Sequence, residues 1–74
     1  MNNLKFKKND LLIEGVSIKK LSKKFETPFY CYSSRTIIEK FKEFERPFKL
    51  SDTLICYAVK ANPNIAILKI LSKL

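Results

Sequence analysis

Leu54-Ile55-Cys56-Tyr57-Ala58-Val59-Lys60-Ala61-Asn62-Pro63-Asn64 is the stretch whose reading decides the fold. Leu54 to Val59 is a short continuous apolar run with β-branched and aromatic members, the pattern of a buried strand. Asn62 then reads as a helix cap and Pro63 as the first helical position. Lys60 falls at the C-terminal end of that strand, at the mouth of a strand-to-helix turn. Two readings of such a lysine stand side by side. Its stem can lie along apolar neighbours while the ammonium reaches water. Alternatively, burial disfavours the ammonium, and the neutral amine becomes a nucleophile toward aldehydes.

Downstream, Ile67, Ile70, Leu71 and Leu74 recur at helical spacing, with Lys69 and Lys73 outside that face. A strand leading into an amphipathic helix is half of a β/α repeat, and a single parallel strand has nothing to pair with. No glycine, asparagine or proline closes the last helix. The sequence therefore reads as a fragment of a longer chain.

Upstream, residues 49–53 are a polar link. Ser33 or Ser34 caps an expected helix in which Ile37, Phe41, Phe44 and Phe48 form a core stripe. Glu39 with Lys42, and Lys42 with Glu45, are spaced for i,i+3 pairing, and Pro47 ends or bends the helix. Thr27-Pro28 breaks a shorter helix capped by Ser17. That helix places Ile18, Leu21 and Phe25 on one face and Lys19, Lys20, Lys23 and Lys24 on the other. Phe29, Tyr30 and Tyr32 read as an extended, packed connection. Residues 4–16 read as extended, with a turn at Asn9-Asp10 and a close at Glu14-Gly15.

The 74 residues are near the lower limit for one hydrophobic core, and 46% are apolar, so the chain is no disordered tail. The net charge is +8, but thirteen of the fifteen basic residues are lysine. Arginine is the preferred reader of phosphates and bases, and the lysines fall mostly on helix faces. A solvated surface is expected, not a nucleic-acid partner, although a small basic binding module is the alternative from another class. No apolar run approaches bilayer length, and Met1-Asn2-Asn3-Leu4-Lys5-Phe6-Lys7-Lys8 has no following signal-type apolar core. A cytoplasmic protein without a membrane partner is the expectation. Cys31 and Cys56 read as reduced packing residues, and no metal spacing exists. The absence of histidine excludes histidine acid–base work and histidine metal sites within these residues.

Tyr57-Ala58-Val59-Lys60-Ala61-Asn62-Pro63-Asn64, followed by Ile65-Ala66-Ile67-Leu68, resembles the cofactor-lysine segment of the diaminopimelate decarboxylases. These belong to the barrel-type (fold type III) pyridoxal-phosphate enzymes. Thr27-Pro28-Phe29-Tyr30-Cys31-Tyr32-Ser33 is similar to the T-P-x-Y-V-Y segment that precedes their barrel. Asp10-Leu11-Leu12-Ile13-Glu14-Gly15-Val16-Ser17 resembles their N-terminal lead-in.

The resemblance implies an α/β fold: the start of a (β/α)8 TIM-type barrel over residues 17–74. It is preceded by a lead-in, residues 1–16, that joins a β-rich second domain. It implies pyridoxal 5'-phosphate as cofactor, held as an imine on Lys60, with Ala58 as a small cofactor contact. The implied reaction converts meso-diaminopimelate to L-lysine and carbon dioxide, in lysine biosynthesis. The implied partners are a small amino-acid substrate and, for the full-length parent, a second copy in a homodimer. Asn62 and Asn64 are expected to serve the turn and helix start. The family's glycine-rich phosphate cradle, acidic partner for the pyridine nitrogen and ring-covering histidine have no counterpart in these residues. The fragment is therefore expected to be inactive alone. Within the same chemistry, ornithine, arginine and carboxynorspermidine decarboxylases are the alternatives. Alanine racemase fits less well, because its segment runs into a tyrosine-glycine stretch absent here. A non-catalytic carrier of pyridoxal phosphate on the same barrel would lack the lead-in.

Overall fold

The computed structural model describes residues 3–74. Met1 and Asn2, which open the expected lead-in and the segment read for a signal peptide, lie outside the described residues. The chain is mixed α/β and divides into two compact units, Met1–Arg35 and Thr36–Leu74.

In the first unit, β1 (Leu4–Lys7), β2 (Asp10–Ile13) and β3 (Val16–Ser17) form an antiparallel sheet in that order. Each connection is a two-residue loop. Lys8 and Asn9 have φ of 51° and 64°, and Glu14 and Gly15 have 51° and 79°. Positive φ at both central residues is what a type I′ hairpin requires, because its twist matches that of the flanking strands. Leu4 lies opposite Ile13, Ile13 opposite Val16, and Phe6 opposite Leu11, so these five share one face. Lys5, Lys7, Asp10, Leu12 and Ser17 share the other. The extended reading of residues 4–16 therefore holds, with the first turn one residue earlier than Asn9-Asp10, but Leu4 and Phe6 are exposed and not half-buried.

Ser17 caps α1 (Ile18–Lys24) as expected: its Oγ accepts from the Lys20 N–H at 3.2 Å and donates to Asp10 Oδ1 at 3.0 Å. This polar pair ties the start of the helix to β2, and Ser17 is buried. The helix packs on β2 and β3 with Ile18 and Leu21 half-buried, while the four lysines of the opposite face stay in water. The packing role expected of the next segment is corrected. Tyr30 is 89% exposed, and its ring stacks on Tyr32 at 6.2 Å. Cys31 is a free, exposed thiol, as is Cys56 in the second unit, so neither fills a core.

α2 (Ser34–Glu45) runs into a 3-10 turn at Arg46–Phe48, where Pro47 stands at the start of the turn. A proline there bends the helix because it clashes with the preceding turn and donates no N–H. The phenylalanine stripe is core only in its first half. Ile37 and Phe41 are half-buried, but Phe44 and Phe48 are exposed, with their ring centroids 5.7 Å apart.

The largest correction concerns Leu54–Val59. No strand forms there, and only Ile55 is even half-buried. Leu54 is 85% exposed. A parallel strand needs neighbours on both sides and helices over its faces, and no described residues supply them. α3 (Ile65–Ser72) follows, and its Ile67 is the one buried apolar side chain among the described residues. The described residues thus form local elements with scarcely any buried apolar surface.

Candidate functional site

Lys60 sits in a turn, not at a strand end. The Ala61 N–H donates to the Ala58 carbonyl at 3.0 Å, so Ala58 and Ala61 are the outer residues of a four-residue turn and Lys60 is its third. Just outside it, the Tyr57 hydroxyl donates to the Asn62 carbonyl at 2.8 Å. The two bonds are nested: 58 with 61, and 57 with 62. Ala58 is thus the first and Lys60 the third residue of this turn, and the two-residue strand period expected to align them is not present.

The helix that follows is held to this turn by two asparagines. Asn62 Oδ1 accepts from the Asn64 N–H at 3.0 Å. Asn64 Oδ1 accepts in turn from the N–H groups of Ala66 at 2.9 Å and Ile67 at 3.4 Å. Asn64, not Asn62, is thus the cap of α3, and Pro63 stands before the cap instead of at the first helical position. The shift has a simple cause. Asn64 reaches two of the orphan N–H groups of the first turn, and Asn62 serves better by fixing the residue that does so. Both side chains are spent on backbone, as expected.

Lys60 is exposed, as are Ala58, Val59 and Ala61. The burial on which a reactive amine was argued is not present around it. A cavity of about 360 Å³ lies along the segment, lined by Phe41, Ile55, Tyr57, Val59, Leu68 and Leu71 among others, and it does not reach Lys60 or Ala58.

A second cluster, in the first unit, escaped the sequence reading. Glu14 Oε2 accepts from Ser33 Oγ at 2.6 Å and from the Arg35 N–H at 3.2 Å, and Glu14 Oε1 lies 3.8 Å from Arg35 Nε. The Ser33 hydroxyl above all, then the Arg35 N–H, hold the Glu14 carboxyl below its ordinary value; burial opposes them, and the Arg35 charge adds a lesser lowering. The carboxylate closes the start of α2 from about twenty residues away, a role that a local Ser-x-x-Glu search cannot find. Its only sequence signal is an acidic residue beside the one glycine.

Among the described residues no group of histidine, cysteine, aspartate or glutamate side chains could hold a metal ion. For pyridoxal phosphate the residues present fit one end. An accessible primary amine, Lys60, stands in a turn bounded by the small residues Ala58 and Ala61. The single glycine, Gly15, is used in a hairpin turn and supplies no phosphate cradle.

No family model matches the chain. Individual proteins do. The chain is 48% identical over 71 residues to diaminopimelate decarboxylase from Aquifex aeolicus, covering 96% of this chain and 16% of that protein. It is 38% identical over all 74 residues to the enzyme of the same name from Haemophilus influenzae, covering 18% of it. The crystal structure of AQ1208 from Aquifex aeolicus superimposes with a TM-score of 0.89 at 46% identity, covering 96% of this chain and 17% of that one. These spans include the Lys60 turn. By these identities the chain belongs with a class of amino-acid decarboxylases. Within that class it belongs to the diaminopimelate decarboxylase family. It spans about a sixth of the length of the relatives it matches.

Proposed function

We propose that this chain is the N-terminal, cofactor-lysine-bearing part of a pyridoxal-phosphate-dependent decarboxylase that converts meso-diaminopimelate to L-lysine and carbon dioxide. The observation that carries the reading is the 48% identity across a span containing Ala58 and Lys60. On this reading residues 1–16 are the lead-in of a β-rich domain and residues 17–74 open a (β/α)8 barrel. The unpaired run at Leu54–Val59 supports it, because such a strand becomes stable only between parallel neighbours. Exposed Leu54, Phe44 and Phe6 support it too, as faces that further sequence would cover. The complete enzyme is cytoplasmic, works as a homodimer on a small amino acid, and has no nucleic-acid or membrane partner. No helix of the described residues is long and apolar enough to cross a membrane.

Lys60 would hold the cofactor covalently through its Nζ, and Ala58 would leave space for it. When bound, pyridoxal phosphate supplies an electron sink for the electrons left by departing carbon dioxide. The chain's own part is to present one amine from a fixed turn, and afterwards to keep that amine near the reacting carbon, where it can carry a proton. The groups that grip phosphate, ring nitrogen and substrate are not among these residues, so this chain alone releases no carbon dioxide from diaminopimelate.

The test is to incubate the full-length parent enzyme with pyridoxal phosphate, reduce with borohydride and map the labelled peptides. A pyridoxyl label on Lys60 is expected. An unlabelled Lys60 with label elsewhere, or carbon dioxide release by the isolated chain, overturns the reading.

A further inference from the structure

Tyr57 has no part in the function argued above, yet its hydroxyl makes the outer of the two bonds that close the Lys60 turn. We propose that Tyr57 is a positioning residue for Lys60: its hydroxyl, bonded to the Asn62 carbonyl, locks the turn that presents the amine. The proposal rests on Lys60 being the cofactor lysine.

Three observations carry it. First, the bond is geometrically sound, at 2.8 Å from a hydroxyl donor to a backbone carbonyl. Second, it encloses the bond from the Ala61 N–H to the Ala58 carbonyl, so the four residues of the turn are bracketed at both ends. An exposed turn held by one bond frays easily, and a second, nested closure lowers the number of conformers that Lys60 can sample. Third, the Asn62 residue that accepts from Tyr57 also accepts from the Asn64 N–H through its side chain, and Asn64 caps α3. Tyr57 thereby fastens the turn to the start of a helix that carries the buried Ile67. No tertiary packing holds Lys60, since Ala58, Val59, Lys60 and Ala61 are all exposed. The hydrogen bonds are what place it.

The phenol itself can be removed with little other change. Tyr57 is 43% exposed, and Tyr57→Phe keeps the ring against the cavity wall while deleting the donor. Two readouts on the whole 74-residue chain separate the proposal from the reading beneath it. Hydrogen exchange of the Ala61 amide tests the lock without any cofactor. Tyr57→Phe should speed it about fivefold, as loss of one ordinary hydrogen bond does, with Ala66 exchange unchanged. The fluorescence anisotropy of a pyridoxyl group reduced onto Lys60 tests positioning. It should fall in Tyr57→Phe, while the same group reduced onto Lys69 keeps its value. Unchanged Ala61 exchange, or an unprotected Ala61 amide in the parent chain, overturns the lock even if Lys60 labels selectively. A faster Ala61 exchange with unchanged Lys60 anisotropy overturns the positioning role. Absence of a pyridoxyl label on Lys60 in the borohydride-reduced full-length parent sinks the cofactor reading and leaves the exchange result standing by itself.

Discussion

The hairpins of Leu4–Ser17 and the run Leu54–Asn64 are of similar length and both are rich in apolar residues, yet only the first becomes a sheet. The hairpins find every partner within a few residues. Two tight turns with positive φ bring β1 to β2 and β2 to β3, and loop-closure entropy is small for such short connections. The second run finds no strand partner among the described residues. Its backbone is left to turns, to Tyr57 and to two asparagines. Local pairing folds from local sequence, whereas a parallel strand needs a partner that lies farther along the chain.

The largest way to break this contrast is at Gly15. Its φ of 79° is a conformation that other residues avoid, and a Cβ there would meet nothing within 4 Å. The cost of Gly15→Val is therefore one of backbone conformation alone, about 2 kcal/mol. Hydrogen exchange should show β2–β3 pairing lost, while the amides of Ala61 and Asn64 exchange as before. Loss of protection in both places at once would mean that the two units fold as one. A smaller effect is expected at Asn64. Asn64→Ala removes the acceptor of two N–H groups, costs about 1 kcal/mol and frays the first turn of α3, read in the amides of Ala66 and Ile67. The hairpins should not respond.

The same contrast explains what the sequence could disclose. The strand alternation at Leu4–Lys7, the Ser17 cap and the amphipathic α1 depend on neighbours a few residues away, and each was legible. The Leu54–Val59 run reads as a buried strand and forms none here, because periodicity reports which faces want burial and cannot report whether a partner is there. The turn chemistry was legible in kind but off by one step: Asn62 and Asn64 were both expected to serve it, and only geometry shows which one reaches Ala66 and Ile67. Lys60 stood out by wording and spacing. Tyr57 and Glu14 did not, since a hydroxyl closing a loop five residues on and a carboxylate capping a helix twenty residues on leave no periodic trace.

Glu14 gives the smallest and sharpest separation of the two regions. Its contacts with Ser33 and Arg35 join the β2–β3 turn to the start of α2, and they hold its carboxyl below the ordinary 4.5. The unfolded chain therefore binds more protons than the folded one in that range. The stability from this contact is present in full above about pH 4.5 and fades as pH falls through the lowered value. The bonds around Lys60 run from hydroxyl or amide donors to carbonyl acceptors and include no carboxylate. An acid titration followed by amide resonances should thus loosen Arg35 while Ala61 and Asn64 keep their shifts and protection, and Glu14→Gln should make the Arg35 amide insensitive to pH over the same interval. If Ala61 and Arg35 loosen together as the solution is acidified, or if Arg35 responds at or above the ordinary glutamate value, the carboxylate is not what ties the hairpin to α2, and the two regions are not independent.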